Sequence, residues 1–225
     1  MRSCPWVAPG LALIFDMDGV MVHSNPVHCR AWQIYNSRFG IQTDEDMLQR
    51  MYGKHNDDIV RDYFGTRLSR DEIAAHGAAK ERLYREIMAP SLENSLVPGL
   101  REFLSRHASV PMAVATNAEP ANVDFILDAA NLRRYFRVVV NGQMVSRPKP
   151  YPDVFLCAAA ELRIAPAACI VFEDSLSGVE ASRAAGMRTV GVLTTHRELP
   201  GLDLAIDHFF SPELEPWLQS QTLPD

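Results

Sequence analysis

The sequence predicts an α/β protein: a parallel sheet covered by helices on both faces, with a separate helical segment inserted after the first strand. Three observations carry that expectation. Short apolar runs at residues 11–15, 111–115, 138–140, 169–172 and 189–193 are near-continuous instead of alternating. Helical patterns lie between most of them, at 100–107, 121–130, 152–163 and 176–185. Residues 26–90 break this rhythm and offer helical patterns without a convincing strand. Strands buried on both faces read as unbroken apolar runs, and their alternation with helices marks parallel crossover units.

Taken in order, the first strand runs straight into Asp16-Met17-Asp18-Gly19. The insert then offers helices at 26–39, 44–51, 57–64 and 70–88, separated by turns at Phe39-Gly40, Tyr52-Gly53 and Phe64-Gly65. Pro26 behind Asn25 suits a first helical turn, and Ser69 with Glu72 three residues later has the form of a capping box. Hinges are expected near residues 24–26 and 90–98. The expected division is a core of residues 1–24 and 91–225 and an inserted unit of residues 25–90.

Composition removes several function classes. The chain has 225 residues, 47% hydrophobic and 22% charged, enough for a sizeable core. No stretch approaches the roughly 18 consecutive apolar residues that span a bilayer. The opening residues lead directly into Asp16 and Asp18 without a small-residue cleavage site, so a cytoplasmic start and no membrane association are expected. The four cysteines (Cys4, Cys29, Cys157, Cys169) have no CxxC spacing, which favours free thiols over disulfides or zinc. A net charge of −6 with no basic block argues against nucleic acid as a partner. The basic residues are 19 Arg and only three Lys, at positions 54, 80 and 149. Each lysine is therefore a candidate for a compact point charge that a guanidinium cannot replace.

The polar residues fall where chemistry is expected. The second apolar run leads into Thr116-Asn117 and the fourth into Glu173-Asp174-Ser175. In an open parallel sheet the carboxyl ends of the strands share one crevice, so four carboxylates would converge there from distant positions. Such a cluster calls for a cation. Carboxylate oxygens without His or Cys favour Mg²⁺, which takes remaining ligands from water and a substrate phosphate. One carboxylate could then attack phosphorus while a second, two residues on, handles the leaving-group proton.

On these residues the sequence resembles the haloacid dehalogenase superfamily. Phe15-Asp16-Met17-Asp18-Gly19-Val20 looks like its first motif; Thr116-Asn117, Lys149 in Arg147-Pro148-Lys149-Pro150, and Glu173-Asp174-Ser175 match the other three in order. The stretch 173–187 is similar to the subgroup of β-phosphoglucomutase and related sugar phosphatases. The resemblance spans approximately residues 11–210. It implies a Rossmann-like parallel sheet core with an inserted α-helical cap domain, and a monomer acting on a small phosphorylated metabolite. It implies Asp16 as nucleophile, Asp18 as general acid/base, and Thr116 and Lys149 as holders of the transferring phosphoryl group. Asp16, Asp18 (through its backbone carbonyl), Glu173 and Asp174 would hold Mg²⁺. Substrate contacts would come from Asn117 and, on the cap, from Gly53, Lys54, Asn56, His28 and Lys80.

Two departures guide the choice of reaction. His23 stands where the first motif is usually followed by an aspartate, leaving the catalytic pair untouched. Asn56 stands where the mutase carries an arginine for its second phosphate, which favours a Mg²⁺-dependent phosphatase over a mutase. Lys54 and Arg61 are the candidates to replace that arginine, so a β-phosphoglucomutase-type isomerase is the second reading. A dehalogenase would not need Asp18, and a non-catalytic sugar-phosphate-binding module would have lost one of Asp16, Asp18, Lys149 or Asp174.

Overall fold

In a computed structural model the described residues are 10–51, 54 and 56–221. Among them six strands form one sheet in the order β3-β2-β1-β4-β5-β6. These are β1 (Ala12–Phe15), β2 (Met112–Ala115), β3 (Val138–Val140), β4 (Cys169–Glu173), β5 (Arg188–Val192) and β6 (Leu204–Ile206), and every neighbouring pair is parallel. The chain leaves β1 toward β2 and β3, then returns to β4 on the other side. The strand order therefore reverses at β1, and the crevice beyond the carboxyl ends of β1 and β4 is where such sheets bind ligands.

Both faces of the sheet are buried, as the unbroken apolar runs require. Side chains alternate along β1: Leu13 and Phe15 enter one apolar cluster, Ala12 and Ile14 the other. Phe15 stacks on Phe172 of β4 with ring centroids 4.7 Å apart and meets Phe103 and Phe209 on the same face. On the far face Phe155 of α7 (Asp153–Leu162) joins Val140 and Val171.

Between β1 and β2 lie α1 (Asn25–Ser37), α2 (Glu45–Met51), α3 (Asn56–Phe64) and α4 (Arg70–Met88). They close around an apolar cluster of their own, formed by Trp32, Tyr35, Met51, Ile59, Val60, Tyr63 and Ile73. The expected capping box is present: Ser69 accepts from the Glu72 backbone N–H, and the Glu72 carboxylate accepts from the Ser69 N–H at 2.8 Å. Pro26 occupies the first turn of α1, but Asn25 does not cap it. Its side-chain amide donates instead to Thr195 Oγ1 at 2.6 Å, across the sheet crevice.

The sequence reading missed β6 and a final helix (Leu214–Ser220). β6 is a three-residue edge strand between Asp203 and Asp207, too short and too polar at its flanks to register as an apolar run. Cys157 and Cys169 are free thiols, as expected, and Cys4 lies outside the described residues. No helix among the described residues is long and apolar enough to cross a membrane.

Candidate active site

A cavity of about 360 Å³ opens between the carboxyl ends of the strands and the inserted helices. Asp16 reaches it because β1 ends at Phe15, whose register partner is Phe172; the Asp16 N–H donates to the Phe172 carbonyl at 3.0 Å. That pairing brings Asp16 beside Glu173 and Asp174, although the sequence separates them by more than 150 residues. Lys149 joins them from the loop before α7. Its ammonium donates to Asp16 Oδ1 at 2.6 Å and to Glu173 Oε1 at 2.5 Å, and lies 4.7 Å from the Phe155 ring centroid.

Glu173, expected as a metal ligand, has both oxygens engaged by the chain itself. Oε1 accepts from Lys149, while Oε2 accepts from the N–H groups of Asp174 and Ser175 and from Ser175 Oγ at 2.9–3.0 Å. Gly178 of α8 (Leu176–Ala184) makes room for this carboxylate: a Cβ there would sit 1.8 Å from Glu173 Cδ. Gly178→Ala should therefore displace Glu173, destabilise the protein by about 1–3 kcal/mol and lower kcat. Unchanged melting temperature and turnover would show that the loop relaxes without cost.

Asp174 lies against the turn that follows β1. Gly19 has φ +79°, and a Cβ on it would fall 1.8 Å from Asp174 Oδ2, so only glycine admits this approach. The same oxygen accepts from Thr195 and, at 3.4 Å, from Asn25. Thr116 is buried at the end of β2, and its hydroxyl accepts from the Ala118 N–H at 3.2 Å. Asn117, expected to meet substrate, uses its side-chain oxygen to accept from the Lys149 N–H at 3.1 Å.

The insert contributes a second polar group of residues. His28 stacks on Tyr84 and lies with Nε2 3.5 Å from Asp18 Oδ1, while its Nδ1 is 3.2 Å from Lys80 Nζ. An ammonium only donates, so Nδ1 accepts and the proton sits on Nε2, facing Asp18. Lys80 is buried, also pairs with Glu81, and lies 5.0 Å from the Trp32 ring centroid. Asn56 donates to Glu81 Oε1 and Asn122 to Glu81 Oε2, both at 2.7 Å. Lys54 is exposed at the cavity wall. Gly53 lies outside the described residues.

The carboxylates are electrostatically frustrated. Burial raises Asp16 to about 7; Lys149 opposes the rise, while Glu173 and Asp18 add to it. Burial likewise pushes Asp174 well above the usual carboxylate range, with Glu173 and Asp16 adding repulsion. Burial alone would raise Asp18 too, but it is outweighed by His28, whose Nε2–H faces it, and by Ser24, so Asp18 is lowered. Among the described residues no group of three or more His, Cys, Asp or Glu side chains forms a ready metal cage. The donor set nonetheless fits a hard cation. Asp16 and Asp174 are buried carboxylates whose ionisation burial and mutual repulsion oppose and a bound cation would favour. Asp18 Oδ1 is buried without a hydrogen-bond partner of normal geometry, and Mg²⁺ commonly takes only one or two carboxylates beside water and phosphate.

The family model for haloacid dehalogenase-like hydrolases matches residues 13–192. The chain belongs to that family. As a hydrolase of this group it is an enzyme. It is 35% identical over 182 residues to a fructose-1-phosphate phosphatase of Escherichia coli, covering 80% of this chain and 95% of that protein. It is 30% identical to a β-phosphoglucomutase of Bacillus subtilis, covering 80% of this chain and 82% of the mutase. Among solved structures it resembles the CbbY protein of Rhodobacter sphaeroides in complex with xylulose 1,5-bisphosphate. There the TM-score is 0.76 and the identity 27%, with 88% of this chain and 94% of the other covered.

The sequence reading missed Asn25, Glu81, Asn122 and Thr195. For Asn25 a signal existed: a side chain before Pro26 that serves no cap is available for other work.

Proposed function

We propose that the chain is a Mg²⁺-dependent phosphatase that hydrolyses a small phosphorylated metabolite, a sugar phosphate by the analogy of its relatives, through an aspartyl-phosphate on Asp16. The observation that carries this reading is Asp16 at the strand-order reversal, hydrogen-bonded to Lys149 within a crevice that also contains Asp18 and Asp174. In this reading residues 25–90 act as a cap over a core of residues 1–24 and 91–225, and the enzyme is a cytoplasmic monomer.

The chemistry follows from the residues. An Asp16 oxygen attacks phosphorus, the bond from phosphorus to the ester oxygen breaks, and Asp18 delivers a proton to that oxygen. Asp18, lowered at rest by His28, takes up that proton when the negative charge of the phosphate enters beside it. Water then attacks the phosphorus of the aspartyl-phosphate, Asp18 takes its proton, and Asp16 is released with inorganic phosphate. Thr116 and Lys149 donate to the phosphoryl oxygens as charge shifts among them. Glu173 and Asn117 serve as positioning residues, the first for the Lys149 ammonium and the second for its backbone. Mg²⁺, held by Asp16, Asp174 and the Asp18 carbonyl, would screen the repulsion between attacking carboxylate and phosphate. Such a cation would also lower Asp16, which otherwise keeps its proton to about 7.

Hydrolysis is favoured over phosphate migration because the cap offers little for a second phosphate. Asn56 carries no charge and its amide is committed to Glu81. Arg61 pairs with Asp58 at 3.3 Å on an exposed surface and does not line the cavity. Lys54 is the remaining cap candidate. The test is release of inorganic phosphate from an aryl phosphate and a panel of sugar monophosphates with and without EDTA, beside a β-glucose 1-phosphate isomerisation assay. Full activity after metal stripping would sink the carboxylate-site reading, and efficient primer-dependent isomerisation would make the enzyme a mutase.

Metal binding should be proton-linked. Below about pH 7 Asp16 holds a proton that Mg²⁺ must displace, so affinity should rise from about pH 5.5 to about pH 7.5. Calorimetry near pH 6.5 in buffers of different ionisation enthalpy should detect roughly a fraction of a proton released per ion. A buffer-independent heat would mean that Asp16 is already ionised in the metal-free enzyme.

A further inference from the structure

The cavity carries an imbalance that phosphoryl transfer alone does not explain. Three lysines and seven carboxylates line it. Three of those carboxylates lie off the motif-bearing strand ends: Asp57 and Glu81 on the inserted helices and Glu119 in the segment after β2. On this far half the lysines are Lys54 and Lys80. Glu119 is paired with Arg85 at 2.7 Å. Lys80 is the deeper of the two lysines, with a side chain 2% exposed, and its neighbour Glu81, 4% exposed, is in direct contact with it. Three donors fix the Glu81 carboxylate: Lys80, Asn56 from α3 and Asn122 from α6 (Pro120–Ala129) on the opposite side of the crevice. Arg85 in turn donates to Asn122 Oδ1 at 2.6 Å, so the amide that holds Glu81 is itself held. A carboxylate bound in this way does not swing aside to release its ammonium without leaving buried donors unsatisfied.

We propose that Glu81 is a specificity-determining residue: it retains the Lys80 ammonium, so the far half of the cavity selects phosphomonoesters with an uncharged, hydroxyl-bearing leaving group and discriminates against a second phosphate. The inference rests on the phosphatase reading and adds to it which esters are admitted. Glu81 and Asn122 are spent on the chain itself, whereas Asn56, half-buried at the cavity wall, presents an uncharged amide with hydrogen-bonding capacity beyond its one bond to Glu81, a group of the kind that reads hydroxyls. Among the described residues the buried lysine of that half, Lys80, is already compensated by Glu81, so a second phosphate finds a neutralised ammonium beside carboxylates, a repulsive element of the kind that separates close substrates.

The test compares fructose 1-phosphate with fructose 1,6-bisphosphate on wild type, Glu81→Gln and the double variant Lys80→Met/Glu81→Gln. The readouts are kcat/KM and calorimetric Kd. The glutamine keeps the shape and an acceptor for one of the two asparagine amides but returns a full charge to Lys80. The bisphosphate-to-monophosphate ratio should rise by about tenfold or more in Glu81→Gln and fall back near wild type in the double variant. Because both substrates report on the same folded fraction, lost stability cancels in the ratio. An unchanged ratio in Glu81→Gln overturns the proposal. So does wild-type protein that binds the bisphosphate tenfold or more tightly than the monophosphate, a result that needs no variant. The Kd values read the cavity charge without turnover, so wild-type protein that binds but hydrolyses neither ester sinks the phosphatase reading and not the charge argument.

Discussion

Asp16→Asn is expected to lower kcat by about a thousandfold or more and to abolish the phosphoenzyme. The asparagine oxygen can still accept from Lys149, so the loop after β1 should keep its geometry while the attacking anion is gone. Rapid quench with radiolabelled substrate distinguishes this from Asp18→Asn, which should still accumulate phosphoenzyme from an activated aryl phosphate and hydrolyse it slowly. Wild-type turnover by Asp16→Asn would move the nucleophile elsewhere. The same substitution should stabilise the metal-free protein, and the pH window follows from linkage. Unfolded Asp16 ionises near 3.8, whereas the folded protein keeps its proton to about 7, because burial outweighs Lys149. Between those values the folded state binds more protons than the unfolded one, so Asp16 costs stability progressively as pH rises through the window. The melting temperature of Asp16→Asn should therefore exceed that of wild type near pH 7.5 and converge with it near pH 4. A nucleophile that strains the resting fold is a common bargain at active sites.

What the sequence disclosed depended on whether a residue's role is local. The strand ends were legible because an apolar run that stops in Asp16-Met17-Asp18 or Glu173-Asp174 announces both a buried strand and its polar mouth. The scarcity of lysine was informative as well: Lys54, Lys80 and Lys149 all line the cavity between the strand ends and the inserted helices. Glu81 was not legible. Within Lys80-Glu81-Arg82-Leu83-Tyr84 it reads as part of a solvated charged helix face, and its burial is created by α6 approaching α4, which no local pattern encodes. Thr195 was hidden for the same reason. It follows β5 in an ordinary polar turn, and only the sheet order carries it to Asp174. Glu173 was assigned a metal by motif alone, whereas the geometry gives it Lys149, because motif spacing fixes which residues meet and not which oxygen each one spends.

Lys149→Met should combine a large kinetic loss with a large loss of stability. The ammonium is the one lysine charge reaching Asp16, and removing such a donor from developing phosphoryl charge costs about a hundred- to a thousandfold in kcat. It also joins two carboxylates whose side chains are 9% and 1% exposed, while its own side chain is 3% exposed. Taking away the cation leaves both anions without their partner, a loss of about 3–5 kcal/mol for a broken buried pair. Burial would lower Lys149, but Asp16 and Glu173 outweigh it and hold the ammonium charged well into the alkaline range, so the cation persists at any working pH. Acidification should rescue the variant's stability as Asp16 takes up its proton, and Mg²⁺ should rescue it near neutral pH by supplying the missing charge, without restoring turnover. Lys149→Arg should not be conservative, since a planar guanidinium does not fit a point contact beside Phe155 with carboxylates on two sides. Glu173→Gln should be milder, because Lys149 keeps Asp16 and loses only the second carboxylate. Melting curves across pH, with and without Mg²⁺, alongside kcat, separate these outcomes. A Lys149→Met protein with the melting temperature of wild type near pH 7.5, altered only in KM, would mean that the buried triad of Asp16, Lys149 and Glu173 neither supports the fold nor acts on the phosphoryl group.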